Sequence, residues 1–179
     1  SYESGAISYL YYADRIYQLP LALIGIAIGV AMLPSISSKI RSESFEKIHE
    51  TIEQTLVYSL LLAVPASVGI FALSEQIIAV LFERGEFNEN SSLFTSKALK
   101  FYSLGLVAFI LMKIYTPIFF AYENARPTLY ITAINLVINT TLSIVLFVNL
   151  GFIGIPIATS ISSWTVSYTH LTLPTIVDV

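Results

Sequence analysis

Hydrophobic residues occur in long uninterrupted runs that short polar segments separate. Residues 16–38 and 54–74 contain no charged side chain, and residues 93–122 are apolar apart from three lysines. A helix needs about 20 consecutive apolar residues to cross the hydrocarbon core of a bilayer. Each run is therefore long enough to predict a membrane-spanning helix.

The last apolar run is longer than one span. No Asp, Glu, Lys or Arg occurs from Pro127 to Val177, and residues 149–151 divide this stretch. We therefore predict an all-α polytopic membrane protein with four complete or nearly complete spans, entered through an amphipathic stretch at 1–14. The predicted helices cover about residues 8–38, 51–82, 92–122, 128–148 and 152–166. A start without Met inside this pattern predicts a fragment, and the short connections predict that successive helices are antiparallel neighbours.

Composition supports the membrane prediction and excludes several function classes. Hydrophobic residues make up 55% of the 179-residue chain and charged residues 12%, against about 25% in soluble domains. The net charge of -3, without a basic cluster, argues against nucleic acid as a partner. The absence of cysteine excludes disulfides, thiolate metal sites and cysteine nucleophiles. The two histidines lie far apart and no phosphate-binding loop occurs, so we do not expect an enzyme.

The basic residues of the loops predict the orientation weakly. Cytoplasmic loops carry an excess of Lys and Arg. Four such residues lie in the first and third loops and three in or beside the second, so we place the first and third loops inside. The first group is Lys39, Arg41, Lys47 and Arg126, and the second is Arg84, Lys97 and Lys100.

Three ionisable residues lie at predicted membrane depth, where a charge marks a water-filled path or a partner. Asp14 and Arg15 stand near the start of the first helix, and Lys113 lies nine residues before Tyr122, or roughly 13 Å along the axis. Snorkelling to the headgroups is the alternative for Arg15. Snorkelling is harder for Lys113, because this residue lies well inside its helix.

Polar uncharged residues share one face of the fourth helix. Thr132, Asn135, Asn139 and Ser143 recur at spacings of three and four, and residues 159–163 of the next helix are rich in hydroxyls. Oxygen atoms from the two helices could coordinate a hard cation such as Na⁺. Interhelical hydrogen bonding is the alternative, and the lack of a carboxylate favours it.

Three segments resemble the MurJ/MviN family of lipid II flippases, in the multidrug/oligosaccharidyl-lipid/polysaccharide exporter superfamily. Residues 4–20, SGAISYLYYADRIYQLP, with their continuation to Ser37, resemble the family's eighth transmembrane segment. Residues 81–87, LFERGEF, resemble its periplasmic loop, and residues 122–128 resemble the loop before segment eleven. The resemblance covers about residues 1–166, as segments eight to twelve of fourteen, and implies part of a C-terminal lobe.

The resemblance implies a transporter of the bacterial inner (plasma) membrane that serves peptidoglycan and cell wall synthesis. Its substrate would be the undecaprenyl-pyrophosphate-linked precursor lipid II, moved to the outer leaflet by alternating access between two lobes. Arg15 matches the cavity arginine of the family's Ala-Asp-Arg motif and Asp14 its neighbour, while Lys113 sits where some members have a lysine. We therefore expect these three residues to bind substrate, since guanidinium suits phosphate oxygens.

The family also has a sodium site that joins segments seven, eleven and twelve. Alignment on Gly154 would place the ligands at Asn139, Ser143, the carbonyl of Ile155 and Thr159. Ser143 stands where a carboxylate is expected and segment seven is missing, so the resemblance implies at most a weakened site for Na⁺ as a coupling ion.

Alternatives stay open for the function and for the tail. The chain could belong to a flippase of another polyprenyl-linked glycan, to an exporter of small cations, or to a membrane scaffold that does not transport. Residues 167–179 resemble translated sequencing-adapter read-through, so we expect them not to be native protein.

Overall fold

The computed structural model describes residues 5–41, 45–121 and 126–172, with side chains except at 26–33, 36–37, 39–46, 116–128 and 170–172. The described residues form helices and no strand, which confirms the all-α prediction. A 3-10 turn at Gly151–Ile153 connects the last two helices. The helices are α1 (Ala6–Arg41), α2 (Phe45–Phe82), α3 (Glu89–Ala121), α4 (Arg126–Leu150) and α5 (Gly154–Thr172).

Two helices extend about six residues further at one end than the apolar pattern indicates. Helix α2 begins at Phe45 rather than near residue 51, because an apolar run marks only the membrane-spanning part of a helix and the first turns of α2 are polar and largely exposed. Helix α5 continues past residue 166 to Thr172. Residues 173–179 lie outside the described part, and a non-native origin of 167–179 stays a prediction.

Antiparallel packing joins α2 to α3. The Ser67 hydroxyl on α2 donates to the Ser103 carbonyl on α3 at 2.6 Å. Nearer the loop that connects these helices, the Lys100 ammonium donates to the Glu75 carboxylate at 2.7 Å. Residue numbers rise on α3 as they fall on α2, as in a helical hairpin.

Parallel packing joins α1 to α3. The Tyr9 ring stacks on Phe94 with centroids 5.6 Å apart, and the Tyr17 ring stacks on Tyr102 at 5.5 Å. Each pair has the same separation in sequence, so the two helices run in one direction with a fixed register. This register places the side chains of the candidate site.

Helix α3 is the centre of the bundle and α5 packs closely against it. The Ser160 hydroxyl donates to the Phe101 carbonyl at 2.6 Å, and the Trp164 indole donates to the Leu104 carbonyl at 2.9 Å. Gly105 lets the helices approach, since a Cβ there would lie 3.0 Å from the Ser160 Cα. Polar contacts between small side chains and backbone are typical of helices that associate in a membrane.

Three segments among the described residues are long and apolar enough to cross a membrane: Lys47–Phe82, Glu89–Tyr115 and Leu129–Thr169, the last of which contains both α4 and α5. Only 17% of the most apolar window of the first is buried, compared with 61% in the second. Large apolar side chains such as Val57, Leu61 and Leu136 are exposed on α2 and α4. This distribution suits a bundle whose outer surface contacts lipid, and the chain is a multi-pass membrane protein.

Candidate functional site

One face of α1 lines a cavity of about 580 Å³ against α3 and α5. The α1 residues recur at spacings of three and four, which puts them on one side of the helix. Helix α3 supplies Tyr102, Phe109 and Lys113, and α5 supplies Thr159. The α1 face consists mainly of Asp14, Tyr17, Gln18, Leu21 and Gly25.

Opposite charges mark the two ends of the cavity. Asp14 and Gly25 are separated along α1 by roughly 16 Å at 1.5 Å per residue. The stem of Lys113 packs on Gly25, where a Cβ would lie 3.5 Å from its Cγ. Within the described residues the ion pairs are His49 with Glu53 and Lys100 with Glu75, so Asp14 and Lys113 do not neutralise each other.

Aromatic rings form the wall between these ends. Tyr17 is buried, stacks on Tyr102 and meets Phe109 edge-on with centroids 5.5 Å apart. Next to this wall, the Gln18 amide donates a hydrogen bond to the Asp14 carboxylate. The cavity therefore combines an apolar wall with a held carboxylate, an arrangement suited to a ligand with polar and apolar parts.

Arg15 lies outside this cavity, on the exposed surface of α1. Successive residues of a helix point about 100° apart, so Arg15 does not share the face of Asp14. Its guanidinium carbon lies 4.8 Å from the centroid of the Tyr11 ring. The structure thus brings Asp14 and Lys113 into one cavity and presents Arg15 on a neighbouring face.

The residues aligned with the sodium site form a hydrogen-bonded network between α4 and α5. The Asn139 amide donates to the Ser162 hydroxyl at 2.9 Å, and its carbonyl oxygen accepts from Ser143 at 3.2 Å. Thr159 donates to the Ile155 carbonyl at 2.9 Å. The four candidate ligands are neutral, and no group of three carboxylates or histidines occurs among the described residues. This donor set fits interhelical hydrogen bonding better than a cation.

The connection between α2 and α3 is held against α1 by aromatic rings. Gly85 has a positive φ of 59°, which glycine adopts without strain, and the Phe87 amide donates to the Arg84 carbonyl at 3.1 Å. The Tyr12 ring lies 4.8 Å from Phe82 and 5.4 Å from Phe87. The loop that resembles a family motif is therefore anchored against Tyr12 of α1 rather than extended away from the bundle.

The aromatic wall is not part of the sequence prediction. Tyr17 and Gln18 follow Asp14 at the helical spacing of three and four, so this signal was available for the α1 face. Phe109 and Tyr102 precede Lys113 by four and eleven residues, so helical spacing places them on the same face of α3 as that lysine. Only the register between α1 and α3 shows that this face meets α1. Thr159, predicted as a sodium ligand, lies in this cavity as well.

Comparisons with known proteins agree on one family. The family model described as "Lipid II flippase MurJ" matches residues 1–173. Probable lipid II flippases MurJ from Rickettsia prowazekii and Rhizobium tropici are 40% and 39% identical over 92% and 90% of this chain. The chain spans about a third of the length of these relatives, 32% and 30% respectively.

A solved structure shows the same arrangement of helices. It is described as lipid II flippase MurJ in an inward closed conformation, is 29% identical, and superposes with a TM-score of 0.86. The match covers 97% of this chain and 36% of the other. Sequence and fold therefore place the chain in the lipid II flippase MurJ family, which confirms the resemblance.

Proposed function

We propose that this chain is part of a flippase that moves lipid II across the bacterial inner membrane by alternating access between two lobes. Support comes from the relatives' names and from the neighbour's inward closed conformation. Because the chain spans about a third of those relatives, the activity belongs to a longer parent protein, meaning the full-length protein that carries this sequence.

The observation that carries the proposal is the exposed guanidinium of Arg15. A planar guanidinium offers donors that match phosphate oxygens in pairs. Within the described residues, no carboxylate forms an ion pair with Arg15. The charge is therefore available to the pyrophosphate of a polyprenyl-linked substrate.

We assign a second role to the cavity between Asp14 and Lys113. Its opposite charges and aromatic wall suit a headgroup that carries polar and charged groups. In this proposal Arg15 binds the pyrophosphate, and the cavity binds other parts of the headgroup.

Complementation tests the proposal. The parent protein should restore growth to a bacterial strain depleted of its own lipid II flippase. Arg15→Ala should abolish or strongly reduce rescue, because losing hydrogen bonds to a charged group costs about 1.5–3 kcal/mol, or about ten- to hundred-fold in affinity. Arg84→Ala is the matched control, since Arg84 is also exposed but lies just after α2 and donates to the Val80 carbonyl of that helix.

The results of the complementation distinguish the proposed function from its alternatives. Full rescue by Arg15→Ala would contradict an anion contact at Arg15. Failure of the unaltered parent to rescue would point to another polyprenyl-linked glycan, to a small cation or to a scaffold that does not transport. Lys113→Met keeps the stem that packs on Gly25 and removes the charge, so it tests the cavity separately.

Sodium coupling of transport stays a prediction. The oxygens of Asn139 and Ile155 already accept hydrogen bonds, and among the described residues no carboxylate joins them. Transport by the reconstituted parent protein should be compared in Na⁺ and in K⁺. An equal rate in both would count against even a weakened site.

A further inference from the structure

The surroundings of Arg15 show how its guanidinium is held. Tyr11 and Arg15 are four residues apart on α1 and therefore neighbours on one helix face. The guanidinium carbon lies 4.8 Å from the Tyr11 ring centroid, within the range of a cation–π contact. Such a contact engages one flat face of the guanidinium and leaves the N–H donors at its edges free.

The Tyr11 ring is itself braced. It meets the Tyr12 ring edge-on with centroids 5.8 Å apart. Tyr12 packs against Phe82 at the end of α2 and against Phe87 in the loop between α2 and α3. Tyr11 is 53% exposed, so the Tyr12 contact restricts its ring on one side only.

Asp14 does not serve as the fixed partner of Arg15. Its carboxylate accepts from Gln18 and lines the cavity on another face of α1. Within the described residues, the Tyr11 ring is the contact that orients the Arg15 head group. A flexible side chain loses less entropy on binding an anion when it is already oriented.

We propose that Tyr11 is a positioning residue for Arg15: its ring holds the guanidinium so that the N–H edge faces a phosphate group of the substrate. The role requires an aromatic ring rather than a hydroxyl. This inference rests on the function proposed above and extends it from the charge to the group that orients it.

Lipid II binding to the purified parent protein in nanodiscs tests the proposal. Tyr11→Leu should weaken binding about two- to five-fold, the size of an exposed cation–π contact. Tyr11→Phe and Tyr11→Trp should bind at least as well as the unaltered protein, since both keep a ring. Tyr58→Leu is the matched control. Tyr58 is an exposed tyrosine on α2, and the cation–π contact of Arg15 is with Tyr11.

A double-mutant cycle separates positioning from a general structural effect. In an Arg15→Gln background, Tyr11→Leu should cause no further loss of lipid II affinity, because a residue that acts through Arg15 has nothing left to orient. Equal losses in both backgrounds would overturn the proposal. Loss in Tyr11→Phe as large as in Tyr11→Leu would also overturn it, since the hydroxyl would then be the important group.

The same cycle distinguishes the two proposals. If Arg15→Gln weakens binding but Tyr11→Leu does not, Arg15 binds the anion and positioning by Tyr11 is refuted. If Arg15→Gln binds like the unaltered protein, the anion contact fails and the role of Tyr11 fails with it. Should Tyr11→Leu fold poorly, Tyr11→Met takes its place in the cycle, since it also removes the ring and keeps a long apolar side chain.

Discussion

The close packing of α3 against α5 leaves little room for a side chain at Gly105. A Cβ at this site would lie 2.8 Å from the Ser160 Oγ and 3.0 Å from the Ser160 Cα. The hydroxyl can rotate, although it would lose its 2.6 Å hydrogen bond to the Phe101 carbonyl. The Cα belongs to the backbone, so relief requires α5 to move away from α3.

We predict that Gly105→Ala destabilises the parent protein by about 1–2 kcal/mol. Ordinary contact begins near 3.4 Å, so α5 must shift by a few tenths of an ångström. Overpacking costs about 1–3 kcal/mol, and the better helix propensity of Ala offsets up to about 1 kcal/mol. The shift also weakens the Ser160 and Trp164 bonds to α3, each worth about 0.6 kcal/mol in a membrane protein.

Gly69→Ala provides the control for this measurement. Gly69 lies within α2, and nothing lies within 4 Å of the position of its Cβ. Helix propensity alone then acts, and we expect a gain of up to about 1 kcal/mol. Unfolding of the parent protein in mixed micelles by added dodecyl sulfate gives both free energies. If the two variants shift in the same direction by the same amount, the steric argument at Gly105 is refuted.

Three further predictions concern individual contacts, and the same unfolding measurement checks each of them. Gly154→Ala should be at least as destabilising as the α3 substitution, because its Cβ would lie 2.7 Å from the backbone nitrogen of Phe147; stability like that of the unaltered protein would refute this. Glu75→Gln should destabilise the protein only slightly, and less still in high salt, since the pair with Lys100 lies at the surface; a large, salt-independent loss would contradict a surface pair. Asn139→Leu should cost about 0.6–1.7 kcal/mol through its lost interhelical hydrogen bond, and a neutral result would show that this bond adds no stability.

The sequence predicts the secondary structure well because a bilayer imposes a simple rule. Residues 54–74 are free of charge over the length of a span, and any such run must form a helix to pair its backbone in lipid. Helix ends follow less directly from hydropathy. The polar start of α2 at Phe45 lies outside the apolar run, which marks only the membrane-spanning part of the helix.

The candidate site could be predicted only in part. Asp14, Arg15 and Lys113 stand out in the sequence as ionisable residues in apolar surroundings. Their grouping does not follow from that pattern, because Asp14 and Lys113 share a cavity while Arg15, adjacent to Asp14 in the chain, occupies another face. Tyr102 and Phe109 share the α3 face of Lys113 by helical spacing, but only the tertiary structure shows that this face meets α1.

By itself, the sequence determined that this protein is a set of membrane-spanning helices. The length and hydropathy of each apolar run are local properties, and they decide whether that run can cross a bilayer as a helix. It also determined the family, because the matching residues are contiguous. Only the tertiary structure decided which residues meet. The register of α1 on α3 depends on close contacts such as Gly25 with Lys113 and stacked rings such as Tyr17 with Tyr102. These contacts join residues about 85 positions apart in the sequence. The periodicity within one helix does not indicate which residues of another helix it will contact.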